Sequence, residues 1–398
     1  MHLVARRAAE FGVDVEGPVR FNLIKAMARK DQIVAGIQKG IYAGLRRKEG
    51  AITFLRGEAS FLSEHEIDAG DGRLSFDKAI IATGARRATP AIQGLDQVEY
   101  LTNRTALQLQ ELPRRMVVVG GGYIGIEFAQ MYARFGTQVT LLGRNVHLAP
   151  GEDPELADVL ADYLREEGVE LHTGAPVLRV GKADSGITVT AQVDGEERTF
   201  AGDALLIATG RVGNTDALGL ANAGVATRGR GFIKVDEQLR TSQPNIWALG
   251  DVKGGWMFTH VATYDGPIAA LNAVKDAGKR TDYRVVPRVI FSSPALGAVG
   301  LTEAEAREQG YDVVVGKVSA VSGRSQAIGD TRGLLKAVVN AKDKEILGFH
   351  VLAPHGDDLL HEAVVAMHDH GTIDRISKSI HVHPTLSELV KSAAKAAR

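Results

Sequence analysis

A chain of 398 residues, 44% of them apolar, is long enough for two or three domains with sizeable cores. Its 47 basic and 48 acidic residues nearly cancel, which removes the electrostatic case for nucleic acid or an anionic membrane surface. Zero cysteine excludes disulfides, thiolate metal sites and any thiol nucleophile within the chain. No apolar run approaches the roughly 20 residues of a membrane helix. The N-terminus lacks the apolar core and cleavage site of a secretory leader, so a cytoplasmic location is expected.

In chain order, residues 20–50 read as one helix carrying apolar Leu23, Met27, Ile33, Ile37 and Ile41. Short strands are predicted at Ile52–Leu55, Ala59–Leu62, Glu66–Asp68 and Arg73–Phe76, then a buried strand over Lys78–Ala82. Residues 113–210 carry a self-contained α/β pattern. A strand at Met116–Val119 precedes a helix at Tyr123–Phe135, with Ile124, Phe128, Met131 and Phe135 on one face and Gly136 as its stop. Val139–Leu142 is the next strand. Pro154 opens a helix with Leu156, Leu160 and Leu164 inward, stopped at Gly168. Ile80-Ile81-Ala82-Thr83-Gly84 is echoed by Leu206-Ile207-Ala208-Thr209-Gly210, which suggests two nucleotide domains of related design. Residues 232–277 hold a strand pair, a glycine-rich turn and a helix through Ile268, Leu271 and Val274. From about Pro287 the pattern is α+β on an antiparallel sheet, with strands at Val289–Phe291, Tyr311–Ser319, Leu334–Asn340 and Ile346–Val351 and a capping box at Thr302–Glu305.

Several motifs carry chemistry. Gly120-Gly121-Gly122-Tyr123-Ile124-Gly125 follows a strand and opens a helix. Gly120 permits the turn, Gly122 lets a pyrophosphate approach the backbone, and Gly125 lets helix and strand pack closely. The next strand ends in Gly143-Arg144, where an acidic residue would grip the ribose of NAD. Arg144 is suited to a 2′-phosphate, which favours NADP(H) over NAD(H); the competing reading is a solvated loop arginine. Asp251 directly follows a buried strand and can accept from a ligand hydroxyl or cap a helix, and Met257-Phe258-Thr259-His260 is a second contact loop. His383 precedes Pro384, read as the first residue of a helix. Glu388 could orient the imidazole and stabilise its protonated form, although for the pair alone, without the surrounding motif, a surface helix cap is the favoured reading. Seven of the twelve histidines lie between His350 and His383, without the spacing of a known metal site, so no metal is expected.

Taken together, Ala82-Thr83-Gly84, Gly120 to Glu127, Ala208-Thr209-Gly210-Arg211, Ala248-Leu249-Gly250-Asp251, Val299-Gly300-Leu301-Thr302-Glu303 and His383 to Glu388 resemble, in order, the flavoprotein pyridine nucleotide-disulfide oxidoreductases, the family of dihydrolipoyl dehydrogenase, glutathione reductase and mercuric reductase. The resemblance implies an α/β chain with two Rossmann-like domains and a C-terminal α+β dimerisation domain. The FAD domain would be 1–112 and 211–283, the inserted NAD(P) domain 113–210, and the dimerisation domain 284–398. It implies FAD and NAD(P)H as cofactors, a homodimer, and a small-molecule or lipoyl/thiol-type substrate. Asp251 would bind the ribityl chain of the flavin. Gly57 and Ala59 would lie near its adenine, Thr83 and Gly84 near its phosphate-to-ribose region, and Met257 to His260 along the flavin. Glu127 would sit near the nicotinamide, with Val177 and Gly210 lining the dinucleotide. His383, paired with Glu388, would be the proton acceptor in the partner subunit's active site. Such a chain should open with a strand, a Gly-x-Gly-x-x-Gly turn and a helix bearing Cys-x4-Cys. Met1 would fall just after that helix, roughly 60–70 residues in, leaving the FAD domain incomplete. Disulfide turnover would then need thiols from elsewhere. The alternative is a dimeric NAD(P)-binding module or diaphorase-like protein without disulfide chemistry.

Overall fold

A computed structural model describes residues 5, 7–47, 50–70, 72–184 and 186–398. They form two compact units. One comprises the N-terminal stretch to Ile24, Thr89–Thr209 and Arg284–Arg398; the other comprises Lys25–Ala88 and Gly210–Tyr283.

In the first unit, the βα pattern produces a parallel sheet in the spatial order Ala204–Ile207, Arg115–Val119, Gln138–Leu142, Glu170–His172. Arg115–Val119 and Ala204–Ile207 are near-continuous buried apolar runs, as in a sheet covered on both faces. The helix Tyr123–Phe135 forms over the predicted span and ends at Gly136, which is left-handed at φ 106°. The helix Pro154–Glu166 starts with its proline, is capped by the Asp153 side chain on the Glu155 N–H, and buries Leu156, Leu160 and Leu164 completely. An antiparallel sheet of Val177–Ala183, Gly186–Val193 and Glu196–Gly202 follows. The C-terminal part is a five-stranded antiparallel sheet in the order Arg288–Ile290, Ala295–Gly300, Ile346–Ala353, Leu334–Asn340, Val313–Ser319. Ile346–Ala353 is buried along its whole length, and helices including Ser387–Ala396 cover the sheet. The capping box at Thr302 and Glu305 forms in both directions.

In the second unit, Ser60–Ser63, Glu66–Asp68 and Arg73–Ser75 form an antiparallel meander. Ala79–Ile81 pairs in parallel with Ile246–Ala248 as a two-stranded sheet; among the described residues its other edge has no partner strand, and Ile80 is exposed. An apolar cleft of about 320 Å³ opens beside it, lined by Ala59, Phe61, Ile67 and Ile80 among others. Two expectations are corrected here. Ile52–Leu55 is not a strand: its backbone meets no ladder partner, and Phe54 instead packs edge-on against Tyr42. The predicted helix over 20–50 is Leu23–Arg46, of which only Leu23 and Met27 are buried. Ile33, Ile37 and Ile41 are exposed. Val274, on the helix Thr259–Lys275, is likewise exposed, the buried face running through Val261, Asp265, Ala269 and Asn272.

Candidate functional site

The first constellation stands at the carboxyl edge of the parallel sheet. Gly120 leaves its strand at φ 125°, and a Cβ there would lie 2.3 Å from the Ala208 carbonyl oxygen. A Cβ on Gly125 would lie 1.8 Å from the Gly120 oxygen, so the helix reaches its position only with glycine at both places. Gly122 is the extended N-cap residue. No side chain caps the helix there, and the space a Cβ would fill is empty. Free N–H groups at a helix N-terminus facing open space make an anion cradle, so these residues fit a dinucleotide pyrophosphate. Tyr123 and Ile124 form the first helical turn, both partly buried.

The turn at Gly143 lies against Gly121. Gly143 donates to the His172 carbonyl and accepts from Ala175 N–H, and Ala149 N–H donates to the Gly121 carbonyl over 2.7 Å. Arg144 is exposed, which leaves its guanidinium accessible to a phosphate. Val177 begins the antiparallel sheet two residues after Ala175. One helical turn past the glycines, Glu127 accepts a hydrogen bond from Phe291 N–H over 2.9 Å, and burial raises its carboxyl above the usual carboxylate range.

Sequence reasoning missed the polar cluster behind this turn. The Tyr123 hydroxyl donates to Glu152, whose carboxylate is almost fully buried and takes two bonds, of 2.9 and 3.2 Å, from Arg288. Burial and Glu152 push the Tyr123 phenol well above its ordinary range. Lys336 meets Asp153 at 2.9 Å and Glu303 at 3.0 Å. Glu152 and Asp153 read in sequence only as residues before a helix, because their partners lie far along the chain.

The second constellation belongs to the other unit. Asp251 sits in the 3₁₀ turn Gly250–Lys253 after the buried strand Ile246–Ala248, and its carboxylate meets the Arg211 guanidinium at 3.2 Å. Thr83 donates to the Asn214 carbonyl, and Asn214 returns a bond to the Thr83 carbonyl and one to the Gly84 carbonyl. Gly210 holds φ 111° and accepts from Ala88 N–H. Gly57 approaches the Ala69 carbonyl so closely that a Cβ would lie 2.6 Å from its oxygen, and Ala59 lines the apolar cleft. Trp256, Phe258 and His260 stack in succession, with centroids 6.3 and 5.2 Å apart, beside Met257 and Thr259. The helix Thr259–Lys275 begins there without a side-chain cap. Asp251 and the aromatic run are suited by chemistry to a flavin's ribityl hydroxyls and ring, whereas the described residues of this unit contain no glycine-rich strand–turn–helix for its pyrophosphate.

Asp265, unremarked in the sequence, is completely buried. It accepts from Gly250 N–H at 3.2 Å and the Tyr283 hydroxyl at 2.6 Å, and faces the Lys253 ammonium at 3.4 Å. It thereby pins the turn that carries Asp251.

The third constellation is back in the first unit. His383 Nδ1 lies 3.0 Å from Glu388 Oε1, and Glu388 Oε2 accepts from Thr385 N–H at 3.0 Å. That backbone donor, and then His383, hold the Glu388 carboxyl below its usual range. The His383 side chain is 78% exposed, so Nε2 faces solvent and can exchange a proton with something outside this chain. Pro384 is not the first residue of a helix as predicted. The helix runs Ser387–Ala396, placing Glu388 in its first turn, where a carboxylate suits the dipole. His381 is the inward member of the histidine pair, bonded to Glu362 and to the Ser379 carbonyl. No cluster of three metal-ligating side chains occurs among the described residues.

Residues 6–266 match the pyridine nucleotide-disulphide oxidoreductase family, and residues 286–394 match that family's dimerisation domain. The chain belongs to this family of FAD- and NAD(P)H-dependent enzymes, and its dimerisation domain supports a homodimer. It is 36% identical over 375 residues to a mercuric reductase of Staphylococcus aureus, covering 94% of this chain and 68% of the relative. It is 36% identical over 399 residues to a dihydrolipoyl dehydrogenase of Geobacillus stearothermophilus, covering 99% and 84%. Among solved structures, the HOCl-induced flavoprotein disulfide reductase RclA from Escherichia coli superposes with a TM-score of 0.87 at 33% identity, over 94% of this chain and 86% of that one. No helix among the described residues is long and apolar enough to cross a membrane.

Proposed function

We propose that the chain is a cytoplasmic, homodimeric oxidoreductase that draws electrons from NADPH in preference to NADH and passes them through FAD to a disulfide or related acceptor. The reading divides it into an FAD domain (1–112 and 211–283), an NAD(P) domain (113–210) and a dimerisation domain (284–398). When bound, the two nucleotides supply hydride and two-electron redox chemistry. The residues of this chain bind, orient and move protons. Gly120 to Gly125 receive the pyrophosphate of the nicotinamide cofactor, with Val177 and Gly210 lining its path. Arg144 reads the 2′-phosphate, and Glu127 stands towards the nicotinamide. Asp251 holds the ribityl hydroxyls of FAD, Met257 to His260 flank its ring, Thr83 and Gly84 its phosphate-to-ribose region, and Gly57 and Ala59 its adenine. His383, oriented by Glu388, exchanges a proton at Nε2 with substrate bound to the partner subunit.

The single observation that carries this reading is the pairing of an uncapped, glycine-built helix N-terminus with a strand-end aspartate in a chain of this family. Because these 398 residues contain no cysteine, any dithiol step needs sulfur from outside them. That same fact, with the two-stranded sheet at Ala79–Ile81, favours a second reading, in which the chain binds NAD(P)H but holds FAD weakly and acts at most as a diaphorase. The separating experiment supplies FAD and NADPH to the purified protein with a quinone or dye, and in parallel with lipoamide. The first reading expects retained flavin and dye reduction that depends on NADPH. NADPH binding without flavin retention selects the second.

A further inference from the structure

The helix Tyr123–Phe135 presents polar side chains at Tyr123, Glu127, Gln130 and Arg134. Spacings of four, three and four residues place them on one face, adjacent to the apolar face. Polar groups on a covered face are costly unless bonded, and all four are tied, three directly and Tyr123 through Glu152, to residues 288–293, the strand Arg288–Ile290 and the loop that follows it. Tyr123 reaches Arg288 through Glu152. Glu127 takes the Phe291 N–H. Gln130, 3% exposed, accepts from Ser293 N–H at 2.8 Å and donates to the Ser293 carbonyl at 3.0 Å. Arg134 donates to that same carbonyl at 2.9 Å.

Apolar ridges let a helix slide or roll by fractions of an ångström, whereas hydrogen bonds are directional and weaken steeply with misalignment. A seam of bonds running the length of the helix therefore fixes both its axial register and its rotation. The end so fixed is the one whose free N–H groups face open space at Gly122. Attraction of an anion to a helix N-terminus falls off within a turn, so small displacements of that end matter. The opposite side of the glycine turn is held independently by the Ala149 N–H on the Gly121 carbonyl.

We propose that Arg288, Glu152 and Gln130 are positioning residues of the dinucleotide site: the C-terminal domain, through this seam, aims the helix at the pyrophosphate. The proposal rests on the dinucleotide reading above and adds to it a dependence on residues that touch no ligand. It follows that nicotinamide cofactor affinity is set partly from the dimerisation side of the chain.

The test titrates the whole protein and its Gln130→Met, Arg288→Lys and Glu152→Gln variants with NADPH and NADH. The same proteins are titrated with 2′-AMP and adenosine, which keep the adenosine end but lack both phosphates of the pyrophosphate. Gln130→Met preserves volume and removes only the two Ser293 bonds, so it stands as the readable variant should Glu152→Gln fail to fold. The seam predicts that Gln130→Met raises the dinucleotide Kd by roughly three- to tenfold through lost preorganisation, while Kd for the pyrophosphate-free fragment stays within twofold. Arg288→Lys, which keeps the charge, should lose less than Glu152→Gln. Equal weakening of dinucleotide and fragment, or no weakening of either in folded Gln130→Met, overturns the proposal. Failure of the unaltered protein to bind either dinucleotide overturns the underlying site reading instead.

Discussion

Replacing Asp265 by Asn should be the most revealing single change in the flavin-side unit. The carboxylate is completely buried and serves three partners at once, Gly250 N–H, the Tyr283 hydroxyl and the Lys253 ammonium. Lys253 is itself 6% exposed at the side chain and lies over the Tyr283 ring at 4.6 Å. An amide oxygen can still accept one of these donors, but the amide nitrogen then faces another donor and the ammonium loses its counter-charge. Removing one partner of a buried pair costs about 3–5 kcal/mol, because the other charge remains buried and uncompensated. Replacing both by groups of similar shape costs far less. Asp265→Asn should therefore destabilise this unit by about 3–5 kcal/mol, and adding Lys253→Met should recover about 2 kcal/mol or more of it. The chain's two tryptophans, Trp247 and Trp256, both lie in this unit, so tryptophan fluorescence during urea unfolding reports its transition. FAD affinity should fall alongside, since the loosened turn carries Asp251. A loss below about 1 kcal/mol, or a double variant no more stable than Asp265→Asn alone, would refute the assignment of an ion-paired pin.

Other expectations follow from the same geometry. Gly125→Ala drives a Cβ to 1.8 Å from the Gly120 oxygen and should abolish measurable NADPH binding by calorimetry while leaving FAD binding in place. Arg144→Ala removes a charge-assisted phosphate contact worth about 1.5–3 kcal/mol, and so should weaken NADPH by roughly 10- to 100-fold with little change for NADH. Burial raises the Glu127 carboxyl above its unfolded value, so the stability it contributes is full when it is protonated and declines as pH rises through the folded value. Glu127→Gln keeps an acceptor for Phe291 N–H and removes that decline. The variant's urea midpoint should therefore gain on the unaltered protein between acid and neutral pH; a constant difference would contradict the sign.

Much of the architecture could be read from local pattern. The 3.6-residue period and Gly136 bounded Tyr123–Phe135, Pro154 and three leucines bounded the next helix, and Thr302 with Glu305 announced a capping box that forms in both directions. Legibility fails where a side chain's meaning depends on a remote partner. Glu152 and Arg288 are 136 residues apart, and Asp265 and Tyr283 are 18 apart, the one on a helix and the other in a loop, so no spacing rule reveals them. Apolar content misled at Ile33, Ile37 and Ile41, because periodicity shows that a face can be covered and not that it is. At Pro384 a proline after a polar residue imitated a helix start that lies three residues later. The glycines of the dinucleotide turn were legible for the opposite reason: Gly120 and Gly125 are required by backbone within a few ångströms, and the turn is local.

The most direct measurement is an anaerobic titration of the purified protein, mixed with FAD and freed of excess, against NADPH and then NADH while the visible absorbance of the flavin is followed. Flavin should stay with the protein and bleach at lower concentrations of NADPH than of NADH. A protein that emerges colourless, or whose bound flavin neither nucleotide reduces, would contradict that expectation.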